Sequence, residues 1–534
     1  MQNLVVRSFV TAFVTVSTLL GSTLLFATTG TAQPTNPPRF ATPFLPSNHW
    51  AVDAARRASM LGLAPRRFGW GDGSLTQAAV GWTLYEARAL SASSAAPLRD
   101  VLSSEWRRFA LEFPAVAARL VRDAARDDST TRPRERVPVA ASVTAGLVSS
   151  NGRLLPVRSL DRTRENVSPP EPLGDLDDGD LELRVGSLAG RYAAAEVAGG
   201  RSNADWQIQD WHVLAAIGSF GGWVGKRAPD FGPGVGGGLV LDGRAEIAGG
   251  GVTLVNPIRL PSVFKFLGPV RAEAFLSRLD SSAATQHPWL FASHLSFAPH
   301  PRLLLGATQA FMFSGSGLPP FTFRNFKEMF LTHGIKVTGR EFENGLASVE
   351  ARWRPPIPKL PAVLYAEWGT DDNHSAWFKF PAVVAGVSLP SLPIAPSVSL
   401  GLERSSFSAP CSDCNGCACE YYATWYRHYV FMDGWTVDRQ PIGHPLGGAG
   451  TEWLVYGRFD DVVRRVRLDW QAFTRDRHRF NLYAPTRQGG STGGRASIEY
   501  RLTPALELRA GVEIEHGTRD WTASSLSAGL RWVP

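Results

Sequence analysis

Six residues of mixed chemistry crowd into one late stretch of the chain. Tyr426, Arg427, His428, Asp433 and Trp435 belong to Tyr426-Arg-His-Tyr-Val-Phe-Met-Asp-Gly-Trp435, and His444 to Gln440-Pro-Ile-Gly-His-Pro-Leu-Gly-Gly448. Aromatic faces stack on the C–H faces of sugars. Arg, Asp and His supply paired or charge-assisted hydrogen bonds to hydroxyls or uronate carboxylates. A plainer reading puts Tyr and Trp in an interfacial girdle and lets Gly443, Pro445 and Gly447 shape an irregular loop. His428, Asp433 and His444 are also acid–base types. No Gly-x-Ser-x-Gly elbow accompanies them, and two histidines with a distant Asp make no metal signature. The sequence therefore assigns no catalytic residue, no metal ligand and no cofactor.

All four cysteines, Cys411, Cys414, Cys417 and Cys419, lie just upstream. In an exported chain this cluster reads as two disulfides stapling a surface loop, with three possible connectivities. A four-thiolate zinc site is disfavoured, because Cys417-Ala-Cys419 is a short spacer. Gly232-Pro-Gly-Val-Gly-Gly237 fits the dinucleotide-binding glycine pattern formally. It lacks a βαβ frame, and Pro233 and Gly238 suit a loop better.

The elements that must carry these residues are mostly strands. The chain has 534 residues, of which 44% are hydrophobic and only 19% charged, with 52 Gly, 38 Pro, 17 Trp, 29 Phe and 10 Tyr. That composition argues against disorder and against long helical bundles, and suits many strands joined by tight turns. The formal charge is +7. With no long Lys/Arg run, this mild bias predicts no nucleic-acid partner.

Arg7 is followed by an apolar, Thr/Ser-rich run from Phe9 to Ala27 and by the small residues Gly30-Thr-Ala32. Residues 1–32 read as a secretory signal cleaved before Gln33. No later stretch has the 18 or more apolar residues of a spanning helix. Residues 33–46 read as a Pro-rich linker.

Residues 47–127 read as a small helical domain. Ser47 or Asn48 caps a first helix whose apolar residues run from Trp50 to Leu61 before Gly62 stops it. Thr76 caps a second through Val80, Leu84, Ala87 and Leu90, and a third runs near Val101, Glu105, Phe109 and Phe113. Thr130 to Arg136 suits a linker. From about Val137 the texture alternates with period two. Val462 to Ala472 alternates with Val463 to Gln471. Ala496, Ile498, Tyr500 and Leu502 alternate with Ser497, Glu499 and Arg501. Thr503-Pro504 turns the chain, and the segments from Leu506 and to Trp532 repeat the pattern. Arg271 and Glu273, Glu350 and Arg352, and Glu403 sit opposite apolar neighbours in the same way. Charges at alternate positions cannot enter a dry core unpaired. With an export signal, the pattern predicts an all-β fold: a large antiparallel transmembrane β-barrel of roughly 16–18 strands over residues 137–534. Its apolar face meets lipid and its polar face lines a watery lumen. Such barrels usually end their last strand on an aromatic residue; here Trp532 stands two residues early, a half-match.

Two resemblances add to this reading. Ser47-Asn-His-Trp-Ala51, Ala54 to Gly62 and Gly73-Ser-Leu-Thr-Gln-Ala-Ala79 resemble the S-layer homology module. That resemblance implies contact with peptidoglycan or another wall polymer; a helical plug with no ligand is the alternative. Gly222-Trp-Val-Gly-Lys-Arg-Ala-Pro-Asp-Phe-Gly-Pro-Gly234 with Gly238-Leu-Val-Leu-Asp242, and the two late segments above, resemble the capsule assembly Wzi family. The resemblance implies an outer-membrane barrel that holds capsular or other surface polysaccharide, with the helical domain in the periplasm. It adds Arg227 to Tyr426, Arg427, His428, Asp433, Trp435 and His444 as candidate glycan contacts. The implied protein is lectin-like and not an enzyme, with surface polysaccharide and outer-membrane lipid as partners. The competing readings are a general porin and an outer-membrane enzyme acting on glycan or lipid.

Overall fold

The computed structural model describes residues 40–47, 49–64, 73–94, 96–125, 140–151, 176–189, 192–202, 205–243, 245–279, 287–326, 336–337, 340–341, 343–357, 360–371, 381–407, 425–426, 428, 430–431, 434–437, 440–478, 481–483 and 487–533. The expected signal, the expected 130–136 linker and all four cysteines lie outside the described residues.

Eighteen long strands close into one antiparallel barrel among the described residues. They are β1 (Ala140–Asn151), β2 (Leu176–Ala189), β3 (Ala193–Ser202), β4 (Asp205–Ile217), β5 (Phe220–Arg227), β6 (Ile247–Leu254), β7 (Pro269–Arg278), β8 (Trp289–His300) and β9 (Leu303–Phe313). The remainder are β10 (Glu343–Trp353), β11 (Val363–Asp371), β12 (Ala382–Leu389), β13 (Val398–Phe407), β14 (Gly450–Asp461), β15 (Val466–Arg477), β16 (Gly489–Arg501), β17 (Leu506–Gly517) and β18 (Trp521–Trp532). Each pairs with its sequence neighbours. Closure comes from β18 on β1, with Trp532 opposite Val143 and Ser524 opposite Asn151. An even strand number is what all-antiparallel closure demands, and a closed sheet leaves no unpaired edge.

The two-residue period decides what each face meets. Ile498, Val512 and Leu526 point outward and are 42%, 51% and 63% exposed. The inward positions carry Glu452, Arg467, Asp469, Arg475, Arg477, Glu507, Glu515 and Arg531, all buried. Several are paired from strand to strand. Arg475 meets Glu452 and lies 3.2 Å from Glu515, Arg477 lies 3.0 Å from Glu515, and Arg467 lies 2.8 Å from Asp460. Outward Phe311 and Phe313 are exceptions to the exposed pattern. Residues of the following connection fold over them, with Phe321 and Phe326 against the Phe313 ring at 5.4 and 6.2 Å.

The expected watery lumen is the main correction. Inward charges are buried because protein fills the barrel from both ends. Residues 40–46, expected as a linker, are packed inside. Phe44–Leu45 pairs with Leu75–Thr76, and the Phe44 N–H donates to His212 Nε2 at 2.9 Å. A second correction concerns Val462 to Arg465, which form the turn between β14 and β15. Val463 is 91% exposed and Arg465 has φ 59°; the alternation simply ran on through the turn.

Four helices close one end: α1 (Trp50–Met60), α2 (Gln77–Leu90), α3 (Ala96–Glu112) and α4 (Pro114–Ala125). Their core is Trp50, Val80, Leu84, Trp106, Phe109 and Leu120. Thr76 caps α2 as expected, accepting from Ala79 N at 3.2 Å. His49, and not Ser47 or Asn48, caps α1 through Nδ1. A ring of ion pairs locks the helices into the barrel mouth. Arg57 bridges Glu105 of α3 and Asp460 of β14, the latter at 2.6 Å. Arg458 reaches Asp53 at 3.2 Å, Arg108 meets Glu499 and Glu507, and Arg531 meets Glu112.

Candidate functional site

At the end opposite the helices, two loops fold back into the barrel and lock to each other. The first follows Arg227. Asp230–Phe231 pairs antiparallel with Leu241–Asp242, which makes a small inward hairpin tipped by the glycine run 232–238. Gly232 and Gly237 have φ 115° and 149°, conformations that side-chain-bearing residues avoid. A Cβ on Gly238 would lie 2.0 Å from the Phe231 carbonyl. The run is thus a fitted turn, and not a cradle for phosphates.

Wall carboxylates hold this tip through its bare backbone. Val235 N and Gly236 N donate to Glu403 on β13 at 2.7 and 2.9 Å. Leu239 N donates to Glu367 on β11 at 3.0 Å, and the Ser348 hydroxyl donates to the same carboxylate at 2.6 Å. Tyr365 donates to Glu403 at 2.8 Å, and Arg352 donates to the Gly232 carbonyl at 2.8 Å. Buried carboxylates need such donors. This explains why the barrel wall spends Glu residues beside a segment that is almost all glycine.

The second loop supplies residues 425–449. Tyr426 sits at φ 70°. Its hydroxyl donates to the Leu239 carbonyl at 2.5 Å and accepts from His444 N at 2.8 Å. Trp435 Nε1 donates to the Val240 carbonyl at 3.0 Å. Asp242 N donates to the Ile442 carbonyl at 3.1 Å. His444 Nδ1 accepts from Leu446 N at 3.1 Å, so its proton sits on Nε2 and points at Ser405 Oγ, 2.9 Å away. Asn481 donates to the Leu446 and Gly448 carbonyls at 2.7 and 3.1 Å.

The sequence-derived candidates are therefore divided. Tyr426, Trp435 and His444 come together as expected, but all three are 0% exposed. In this conformation they offer no face to solvent and join the two loops. His428 is 9% exposed, and its Nδ1 accepts from Val430 N at 3.2 Å. Arg227 lies elsewhere. It stacks over Phe44 and Trp223 at 3.8 and 4.3 Å and lies 3.5 Å from Glu273. Glu273 in turn accepts from Ser74 N and Oγ. Arg227 thus ties the wall to the N-terminal segment. Arg427 and Asp433 lie outside the described residues.

The sequence reading missed Glu367, Glu403, Tyr365 and Arg352 as holders of the glycine loop. Their alternation with apolar neighbours placed them on the inner wall, but nothing local marks which strand faces which loop. A small pocket remains between the two fillings, lined among others by Phe44, Arg56, Asp210, His212, Arg227 and Asp230. Arg56 crosses it to Asp230 at 2.8 Å, and Gly73 N donates to the Asp230 carbonyl at 2.8 Å. The helical domain and the inward loop thus touch directly.

The family model for capsule assembly protein Wzi matches residues 163–528. Among solved structures, the chain is similar to Wzi of Escherichia coli, described as an outer membrane protein involved in group 1 capsule assembly and a carbohydrate binding β-barrel. The identity is 14%, with 90% of this chain and 97% of that chain covered, at a TM-score of 0.61. Pseudomonas aeruginosa OpdQ is 9% identical, with 74% and 97% covered and a TM-score of 0.44. Acinetobacter baumannii OccAB2 is 10% identical, with 74% and 98% covered and a TM-score of 0.43. None of the curated proteins matches this chain.

Proposed function

This chain belongs to the capsule assembly protein Wzi family of outer-membrane β-barrels, and on that premise we propose that it retains capsular or another surface polysaccharide at the cell surface, non-covalently and without turnover. One observation carries the reading: the bond from Tyr426 to the Leu239 carbonyl. It fastens two inward loops across the barrel, so the mouth is a floor on which a polymer can rest and not an open duct. A general porin needs a water-filled passage, which the packed segments at both ends do not favour.

The helical end faces the periplasm in this account. Several of its connections, 218–219, 301–302 and 462–465, are short, while the strands ending at Arg227 and Phe407 lead into long connections from the other end. Short periplasmic turns and long outer loops are the rule for such barrels. The polymer is met by polar groups of the outer loops, with Arg427, His428 and Asp433 as hydrogen-bonding groups. Tyr426, Trp435 and His444 act as positioning residues that hold that segment in place, and Arg227 positions the wall against the N-terminal segment. A wall polymer meets the far side of the helical domain, where Arg99 and Arg107 are exposed.

The test is retention of purified full-length protein on immobilised polysaccharide from its own surface, alongside solute flux through reconstituted vesicles. Retention without flux is expected. Free flux with no retention would establish the porin instead. Release of shortened sugars during the assay would establish an enzyme.

A further inference from the structure

The connection 255–268 between β6 and β7 carries a short 3-10 helix, Ser262–Leu267, whose side chains turn away from the barrel interior. Val263, Phe264 and Phe266 are 75%, 45% and 67% exposed. Three large apolar side chains so exposed within four residues make a patch, not a scatter of single residues. The projection is also fixed. Ser262 has φ 54° and Gly268 has φ 69°, so both ends are set by left-handed residues. A Cβ on Gly268 would stand 1.9 Å from the Ala298 carbonyl, which places the end of the helix flat against β8.

Two cations flank the patch. Lys265 lies between the two phenylalanines, and Arg259 lies at the helix approach, opposite Pro269. Both are exposed, and neither forms an ion pair among the described residues. The patch runs straight into the lipid-facing wall, where outward Val252 of the adjoining β6 is 62% exposed. An apolar projection continuous with a lipid-facing surface, edged by exposed cations and lying at the end of the strands, has the chemistry of a membrane interface.

We infer that Ser262–Leu267 is an interfacial anchor that dips into the leaflet at the helical-domain end of the barrel, with Lys265 and Arg259 holding the phosphate of an anionic phospholipid. Phe264 and Phe266 enter the acyl boundary, and the two cations sit at headgroup level. The inference needs only the membrane barrel and goes beyond the polysaccharide reading, which can fail without affecting it.

The test uses the full chain with a benzophenone photocrosslinker, p-benzoyl-phenylalanine, in place of Phe266. The protein is reconstituted into vesicles of phosphatidylethanolamine alone or with phosphatidylglycerol. Crosslinked lipid is expected, with phosphatidylglycerol over-represented relative to its share of the vesicle. Arg259→Ala with Lys265→Ala lowers that preference about fivefold per cation and leaves phosphatidylethanolamine adducts in place. A crosslinked dimer as the main product would make the patch a contact between copies and overturn the inference. So would the absence of lipid adducts in a variant whose barrel still resists detergent. Equal capture of both lipids would overturn the preference for an anionic headgroup.

Discussion

Gly236 and Glu403 meet inside the barrel. The Gly236 N–H donates to the Glu403 carboxylate at 2.9 Å, and a Cβ on that glycine would stand 2.6 Å from the same oxygen. The contact thus needs both an acidic wall residue and a residue with no side chain. It joins a transmembrane strand to a loop that would otherwise lie over the mouth.

Substituting Gly236→Val should expel the tip of the first loop while the barrel stays closed. Glu403→Ala should do the same by leaving the Val235 and Gly236 N–H groups without an acceptor, at about 1–3 kcal/mol for each buried donor. Hydrogen exchange checks this: the amides of residues 235–239 should lose protection in both variants, with the β14–β18 amides unchanged. Protection that persists in Glu403→Ala would contradict the assigned role of the carboxylate.

The helical domain should detach when its central cation is removed. Arg57→Ala leaves Glu105 and Asp460 buried without their bridge, a loss of about 3–5 kcal/mol for a broken buried pair. Single-channel recording in planar bilayers should show current steps in Arg57→Ala that the parent lacks. Arg57→Met with Glu105→Leu should restore much of the seal, because Asp460 keeps Arg467 at 2.8 Å and no lone charge then remains. A silent Arg57→Ala channel would show that the ion pairs do not hold the plug.

Acid should weaken the same seal through Glu112. Burial alone would raise its pKa, but the Arg531 guanidinium and then His49 outweigh burial and hold the carboxyl well below its ordinary value of 4.5. A depressed carboxylate contributes stability that is complete above 4.5 and is lost as pH falls through the lower folded value. Glu105 runs the other way. Burial raises its pKa more than Arg57 lowers it, so its protonation on acidification favours docking. Proteolysis of the helical domain from about pH 7 to pH 3 separates the two. Glu112→Gln should be more readily cut than the parent at neutral pH, and the difference should shrink in acid. A difference that grows in acid would reverse the assignment.

Much of this molecule was legible in its sequence. The alternation of Ile498, Val512 and Leu526 with buried charges gave the barrel and its inside-out faces, and Thr76 marked a helix start. The filled lumen was not legible. Charges at inward positions look alike whether they meet water or each other, and the pairs Arg477–Glu515 and Arg57–Asp460 join residues far apart in the chain. The candidate site was half legible. Tyr426, Trp435 and His444 do converge, but the aromatic and polar types that suit a sugar also suit a buried knot. Only the geometry shows their N–H and O–H groups spent on the carbonyls of Leu239 and Val240 or on Ser405.

Asp433 should affect polymer holding without altering the fold, while His428, buried beside Phe431, should affect both. His428→Ala and Asp433→Asn are expected to lower retention on polysaccharide about tenfold each, the loss of one good hydrogen bond to a charged or polar partner. Thermal stability should be unchanged in Asp433→Asn and lowered in His428→Ala. Trp435→Ala should likewise lower both, since it empties a fully buried site. An effect of Asp433→Asn on stability equal to that of Trp435→Ala would place Asp433 with the structural knot.

The most direct test is made on cells. In a strain lacking this protein, the account predicts unchanged total surface polysaccharide, with most of it shed into the medium, and restoration of the attached fraction by the parent chain. Normal attachment in the deletion strain, or a fall in total synthesis with none in the medium, would contradict a retaining role.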